Sequence, residues 1–404
     1  MQREHVRANQ SEPSSTLLGR RLSIFVQSAF MRSKHAKIKL EQNVIGVFIA
    51  VGVLNIAFMW SWGIPMVNCL QLMTMSAFLL ILFCFLGSES ATVVRSEPVA
   101  INERPIIGVL SQEQAYHLTS LYAKENFTSY IAASYVKDIE ASGARVVPIL
   151  IGKNREYYKE LLEKINGVLF PGGGTYFNQS NGYADAGQHI YELAMEMNDA
   201  GDYFPVFGTC LGFELLVILA SGRGEIENRV TCKAYCNSAL NFTSDFRSSK
   251  MFKEIDNDLV RMFEHEHYTA NAHKFCIVDE NMERHNLSVD WRVTSYSEDE
   301  NQLRYISSIE HKRYPFYGVQ FHPEKASFEW KKSRKYPHSI NAIKVNRYFM
   351  DFFVEECRKS IHSFKNEEEE NSYLIYNYAP YFTGKNGSMY NQCYFFEPKG
   401  TNVE

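Results

Sequence analysis

Three short stretches combine residue types that together could break an acyl bond. The first is GTCLGFE, residues 208–214, where Cys210 stands between Gly208 and Gly212 as an apolar strand, FPVFGTC, gives way to a helix. A sharp strand-to-helix turn exposes the side chain at its tip, and flanking glycines relieve the crowding there. Cys210 would then sit at a helix N-terminus, where the macrodipole and free N–H groups favour the thiolate, the nucleophilic form. A cysteine at a helix start can equally be an inert buried thiol, so the elbow alone does not decide. The second stretch is GVQFHPE, residues 318–324. His322 ends a strand, Pro323 stiffens the turn after it, and Glu324 is two residues on, close enough to reach the imidazole and fix its tautomer. A lone histidine before proline is more often structural. Beside a cysteine elbow it completes the logic of a Cys-His-Glu triad. The third stretch is LFPGGGTYF, residues 169–177. Glycines directly after a strand can leave backbone N–H groups pointing into a crevice; Gly173 and Gly174, with the N–H of Leu211, are the candidates for holding an oxyanion. A glycine triplet is usually just a turn, and this one is not a phosphate loop, since no GK[ST] comes after it.

Elements able to bring these stretches together are written around them. RPIIGVLSQ, ARVVPILI, INGVLFPGGG and FPVFGTC read as strands, while SYIAASYVKDIEASG, stopped by Gly143, and AGQHIYELAMEMNDAG read as amphipathic helices. That rhythm predicts an α/β fold with a largely parallel central sheet flanked by helices. Ligands bind such sheets in the crevice at the carboxyl ends of the strands. YPFYGVQFHPE restores a strand leading into a turn, and INAIKVNRYFMDFFVEECRK is a helix packed on the sheet. The stretch from about 223 to 304 is more polar and less regular, a mix of loops and a few strands over the site. NEEEEN reads as solvated surface, and the tail YLIYNYAPYFTG as a strand that folds back. There is no internal repeat and no long linker, so one domain succeeds the leader.

Composition narrows the function classes. With 404 residues, 45% hydrophobic and 14% aromatic, the chain can build a packed core and is not disordered. A net charge of -4 and the lack of a long Lys/Arg run argue against nucleic acid as a partner. Residues 42–88 carry no charge and hold two apolar pieces, VIGVFIAVGVLNIAFMW and MSAFLLILFCFLG, preceded by Arg20, Arg21, Arg32, Lys34, Lys37 and Lys39. The basic flank would stay cytosolic while the chain beyond the apolar pieces is translocated. A membrane anchor, a pair of spanning helices, and a cleaved signal starting at Met73 or Met75 are all compatible with this pattern. Five sequons, at Asn126, Asn178, Asn241, Asn286 and Asn386, lie beyond the apolar region, where glycosylation in the secretory pathway would require them. Outside the apolar stretch, and Cys210 apart, five cysteines are left: Cys232, Cys236, Cys276, Cys357 and Cys393. That odd number fits one or two disulfides with at least one free thiol. Cys232 and Cys236 form a CxxxC, but there is no second pair at zinc-finger spacing, so ordinary thiols or a disulfide are the expectation and no metal site is.

Taken in order, GTCLGFE, the HPE triplet and the PGG turn resemble the class I glutamine amidotransferase superfamily. YIAASYVKDIEASGARVVPI, DYFPVFGTCLGFELL, YTANAHK and YGVQFHPEKASFEW, with a tail similar to LIYNYAPYFTG…QCYFFE, resemble more closely the γ-glutamyl hydrolase family (peptidase family C26) within it. The likeness runs from about residue 104 to the end. It implies a three-layer, flavodoxin-like sandwich over residues 98–404, after a basic extension (1–41) and an apolar signal or anchor region with linker (42–97). It further implies Cys210 as nucleophile, His322 as general base and acid, Glu324 as orienting carboxylate, and His273 of NAHK as a second histidine near the substrate. The implied substrate is a folylpoly-γ-glutamate, cut through a thioester without a cofactor, by a homodimer that is lysosomal or secreted. Lys233, Lys274 and Lys325 could meet the glutamate carboxylates. A glutaminase subunit serving a partner synthase, or a binding protein without turnover, are the alternatives. The long leader departs from the family pattern of a short cleaved signal.

Overall fold

A computed structural model describes residues 101–122, 125–222 and 229–397. The expectations placed on residues 1–41 and on the apolar region 42–97 lie outside the described residues.

The central sheet is assembled from strands that are apolar on both faces, as parallel strands covered on both sides must be. β1 (Ile106–Leu110) shows the pattern: Ile106 and Leu110 join one core, Ile107 and Val109 the other. After it come β2 (Arg145–Ile149), β3 (Val168–Phe170), β4 (Val206–Thr209), β5 (Asn241–Phe242), β6 (Trp291–Glu298), β7 (Arg304–His311) and β8 (Phe316–Val319). Their order across the sheet is β2-β1-β3-β4-β8-β7-β6-β5. The first five in that order run parallel, and β7, β6 and β5 extend the edge antiparallel.

Helices cover both faces. α1 (Ala133–Ala141) and α4 (Ile340–Cys357) pack Val136, Ile139, Phe349 and Phe353 against Val109, Leu169, Phe207 and Val319. On the opposite face α2 (Tyr183–Asp199) and α3 (Leu211–Ala220) set Ile190, Leu215 and Leu216 against Ile106, Phe170, Val206 and Phe316. The result is the expected α/β three-layer arrangement.

Register brings the three motifs together. Phe170 of β3 pairs with Gly208 of β4, and Thr209 of β4 pairs with Val319 of β8. The glycine turn, Cys210 and the HPE triplet therefore leave three neighbouring strands at the same carboxyl edge.

Several expectations need correction. The helix expected from residue 129 begins at Ala133, because Ser129–Ala132 is drawn into a three-stranded antiparallel sheet between Gln112–Glu113 and Cys393–Phe396. Pairing on both sides outweighs the helical periodicity of that stretch. The tail 373–384 is not a strand: it holds 3-10 turns at Ile375–Asn377 and Thr383–Asn386 and a single bridge, Tyr381 to Cys393, while the strand itself is Cys393–Phe396. The acidic run is a helix, Glu367–Tyr373, capped by Asn366, and two of its carboxylates are paired rather than merely solvated. Glu369 meets Lys164 at 2.7 Å, and Glu370 binds Arg145. Gly143 does lie just past the end of α1, at φ +91°.

Candidate active site

Cys210 sits between the last residue of β4 and the first of α3, with φ 51° and ψ −105°. A side chain at positive φ stores about 1–3 kcal/mol of backbone strain, and the surroundings must impose it. They do so through close packing: a Cβ on Gly212 would fall 1.9 Å from the carbonyl oxygen of Phe170, and one on Gly208 would fall 2.5 Å from that of Gly212. Only glycine lets the elbow press this tightly on the sheet. The Cys210 N–H donates to Val319 O at 2.8 Å, tying the elbow to β8.

His322 lies just beyond β8 and is buried, with its N–H donated to Ala270 O at 2.9 Å. Its Nδ1 lies 2.8 Å from Glu324 Oε1 and 3.2 Å from Tyr135 Oη. A carboxylate can only accept, so the proton belongs on Nδ1 and the lone pair on Nε2. Burial and the nearby Lys325 charge lower the His322 pKa below the ordinary histidine value, although Glu324 pulls the other way. Glu324 is itself buried. Burial works against its charge, but His322 and Lys325 outweigh that and hold its carboxyl below the usual range.

The glycine turn closes the cluster. A Cβ on Gly172 would come within 2.5 Å of Tyr135 Oη, 2.7 Å of His322 Cε1 and 3.1 Å of Cys210 Cβ, so these three side chains converge on one point. The Gly172 N–H donates to Tyr135 Oη at 2.9 Å. Gly173 and Gly174 line a cavity of about 300 Å³ together with Ala115, Ala272, His322, Lys325 and Tyr390. The Leu211 N–H bonds the Cys210 sulfur and favours its thiolate.

That contact does not win. Burial raises the Cys210 thiol far above its ordinary pKa, the Glu214 carboxylate adds to the rise, and Lys325 and Leu211 only partly oppose it. The expectation of a standing thiolate at a helix N-terminus is therefore corrected: this site holds a thiol beside a neutral imidazole. Attack requires the proton to leave as the bond forms, and a lone pair on His322 Nε2 is suited to take it.

The structure also places the remaining residues singled out in the sequence. His273, on the strand His273–Cys276, is buried with Nδ1 2.9 Å from Phe275 O and Nε2 3.2 Å from Asn271 Oδ1. Burial lowers its pKa to about 3. Its neighbour Ala272 lines the cavity, whereas the His273 ring is not among the groups lining it. Cys232 is bonded to Cys276, not to Cys236, and both sulfurs are 3.6 Å from His273 Nδ1. These three side chains could hold a metal by proximity, but the sulfurs are spent on each other. Lys233 is exposed and paired with Glu300 at 2.7 Å, and Lys274 is exposed. Lys325 is only 3% exposed and faces the cavity.

Sequence reasoning missed Tyr135 and Glu214. Nothing in its local pattern marks Tyr135, one of several apolar-face residues of α1. Glu214 had a signal: it is the one charge in the wholly apolar LGFELLVILA. It is buried and accepts from Gln320 Nε2 at 3.0 Å and Arg229 Nη1 at 2.9 Å.

A strand-to-helix cysteine facing a His–Glu pair, at the carboxyl edge of a largely parallel sheet, is the arrangement of an α/β thiol hydrolase. The family model for peptidase C26 matches residues 105–324. The chain is 42% identical over 296 residues to the gamma-glutamyl hydrolase of Rattus norvegicus, covering 73% of this chain and 90% of the rat protein. It is 39% identical over 320 residues to that of Homo sapiens, covering 78% and 98%. With gamma-glutamyl hydrolase 1 of Arabidopsis thaliana it shares 35% over 314 residues, covering 77% and 88%. Among solved structures, that of SMU.1228c overlays with a TM-score of 0.37 at 12% identity, covering 62% of this chain and 99% of that one, too loose a likeness to bear on function. The chain belongs to the peptidase C26 family, the family of the gamma-glutamyl hydrolases.

Proposed function

We propose that this protein hydrolyses the γ-glutamyl bonds of folylpoly-γ-glutamates. The convergence of Cys210, His322 and Tyr135 on Gly172, in a family whose curated members are named gamma-glutamyl hydrolases, carries this reading. Cys210 Sγ attacks the γ-carbonyl carbon of a glutamyl residue as its proton passes to His322 Nε2. Glu324, accepting from Nδ1, stabilises the imidazolium that forms. The oxyanion is held by the Leu211 N–H and by N–H groups of the Gly173–Gly174 turn. His322 then protonates the departing α-amine, leaving a γ-glutamyl thioester, and the same imidazole activates the water that releases it. His273 acts from outside the cavity, holding the segment that presents Ala272.

The same proposal places the protein in the secretory pathway, lysosomal or secreted. Two observations support that: all five sequon asparagines are exposed, and Cys232 and Cys276 are joined as a disulfide, a bond that persists in oxidising compartments. Enzymatic removal of N-glycans from protein secreted by cultured cells should lower its mass. An unchanged mass would count against this route.

The activity is tested by incubating the protein with a pteroyl poly-γ-glutamate and, separately, with glutamine. Shortened pteroyl products with glutamine intact are expected. Ammonia from glutamine with the folate untouched would instead indicate a glutaminase.

A further inference from the structure

One side chain holds two consecutive carbonyls of the glycine turn. Gln112, on the short strand Gln112–Glu113, is only 2% exposed, and its Nε2 donates to Pro171 O at 2.8 Å and to Gly172 O at 3.3 Å. A primary amide carries two N–H donors, one for each carbonyl, and since carbonyls only accept, nitrogen must be the atom that faces them. Gln112 Oε1 is buried with no hydrogen-bond partner among the described residues, so hydrogen bonding holds this side chain through its donors alone. Tyr183 Oη donates to Pro171 O as well, at 2.8 Å. Only glycine at 173 leaves room for the amide, because a Cβ there would fall 1.7 Å from Gln112 Oε1.

The carbonyl and the next N–H of a trans peptide point in opposite directions, and no described peptide bond is cis. The first of the two peptides shows the consequence. With Pro171 O drawn to Gln112, the Gly172 N–H points the other way and donates to Tyr135 Oη at 2.9 Å, itself 3.2 Å from His322 Nδ1. With Gly172 O drawn to the same amide, the Gly173 N–H is likewise turned away from Gln112. That N–H makes no hydrogen bond among the described residues, and Gly173 lines the cavity with His322.

Resting on the function proposed above, we infer that Gln112 is a positioning residue for the reaction: by tying down Pro171 O and Gly172 O, it keeps the Gly173 N–H aimed at the oxyanion that forms when Cys210 attacks. Gln112 is not among the residues lining the cavity and acts through the turn. A peptide plane left to rotate would offer the oxyanion the Gly172 carbonyl, a repulsive partner, in place of the N–H. Held by Gln112, the donor is set before substrate arrives and needs no reorganisation during the step.

The test separates acylation from alkylation at the same sulfur. The parent, Gln112→Met and Gln112→Glu are compared in two reactions, each corrected with Cys210→Ala for the other free thiols. The first is the p-nitrophenol burst from p-nitrophenyl acetate, which makes a Cys210 thioester through a tetrahedral oxyanion. The second is alkylation by iodoacetamide, a displacement that forms no oxyanion. Outright removal of an oxyanion donor costs about 10²- to 10³-fold, so releasing one to rotate should slow acylation about 10- to 100-fold in both variants, with alkylation within about twofold of the parent. Acylation at the parent's rate overturns the proposal. An equal fall in both reactions also overturns it, because that is the mark of a general loss of structure. The burst needs no glutamyl substrate, so it judges Gln112 whether or not the parent cleaves pteroyl poly-γ-glutamates.

Discussion

Glu324→Gln isolates the charge behind the histidine. The replacement keeps the shape of the side chain and removes the carboxylate that accepts from His322 Nδ1 at 2.8 Å in a fully buried setting. A hydrogen bond to a charged group contributes about 1.5–3 kcal/mol, or about 10- to 150-fold. If the new amide turns its NH2 toward Nδ1, the imidazole proton moves to Nε2 and the lone pair is lost from the working nitrogen. Loss of tautomer control in a serine-histidine-aspartate triad lowers kcat about 10⁴-fold. Tyr135 Oη, 3.2 Å from Nδ1, offers only partial compensation. A fall in kcat of about 10²- to 10⁴-fold is therefore expected, with KM little changed. The pH profile supplies the sign. Glu324 raises the His322 pKa, so without it burial and Lys325 push the imidazole lower still. The acid limb of kcat/KM, which reports the free enzyme's base, should move to lower pH. A kcat within about threefold of the parent, with the acid limb unmoved, would refute the role of Glu324.

Other perturbations act through the same geometry. Gly212→Ala would drive a Cβ to 1.9 Å from Phe170 O, so the start of α3 must shift; kcat should fall about 10²-fold and the melting temperature should drop. Glu214→Gln removes a charge that raises the Cys210 pKa, so alkylation by iodoacetamide at neutral pH should accelerate. The same change breaks the buried Glu214–Arg229 ion pair and should lower stability by about 3 kcal/mol in chemical denaturation. Cys276→Ser opens a loop closed across a sequence separation of 44 and should cost about 4 kcal/mol by chain entropy. Reductant should then destabilise the parent but not the variant.

What was legible in the sequence was what local chemistry dictates. Cys210 between its two glycines, and Glu324 two residues after His322, are relationships a short stretch can encode. The parallel strands are equally local, since burial on both faces writes itself as a continuous apolar run. Tyr135 was not legible, because its hydroxyl meets His322 across a separation of 187 residues and only the packing of α1 on the sheet brings them together. The protonation state of Cys210 was misjudged for the same reason. The helix terminus is a local effect, whereas the burial and the Glu214 charge that outweigh it are tertiary. The stretch 129–132 and the aromatic tail were misread because partners distant in sequence, Cys393–Phe396 among them, decide whether a short apolar run becomes a strand.

Trapping the covalent intermediate tests the central claim most directly. The protein would be mixed with a pteroyl poly-γ-glutamate, quenched in acid within milliseconds, digested and mapped by mass. The account predicts a γ-glutamyl acyl adduct on the peptide carrying Cys210, removed by hydroxylamine and absent from Cys210→Ala, which should form no shortened folate. Turnover by Cys210→Ala at a rate near that of the parent, or an adduct on a different residue, would contradict it.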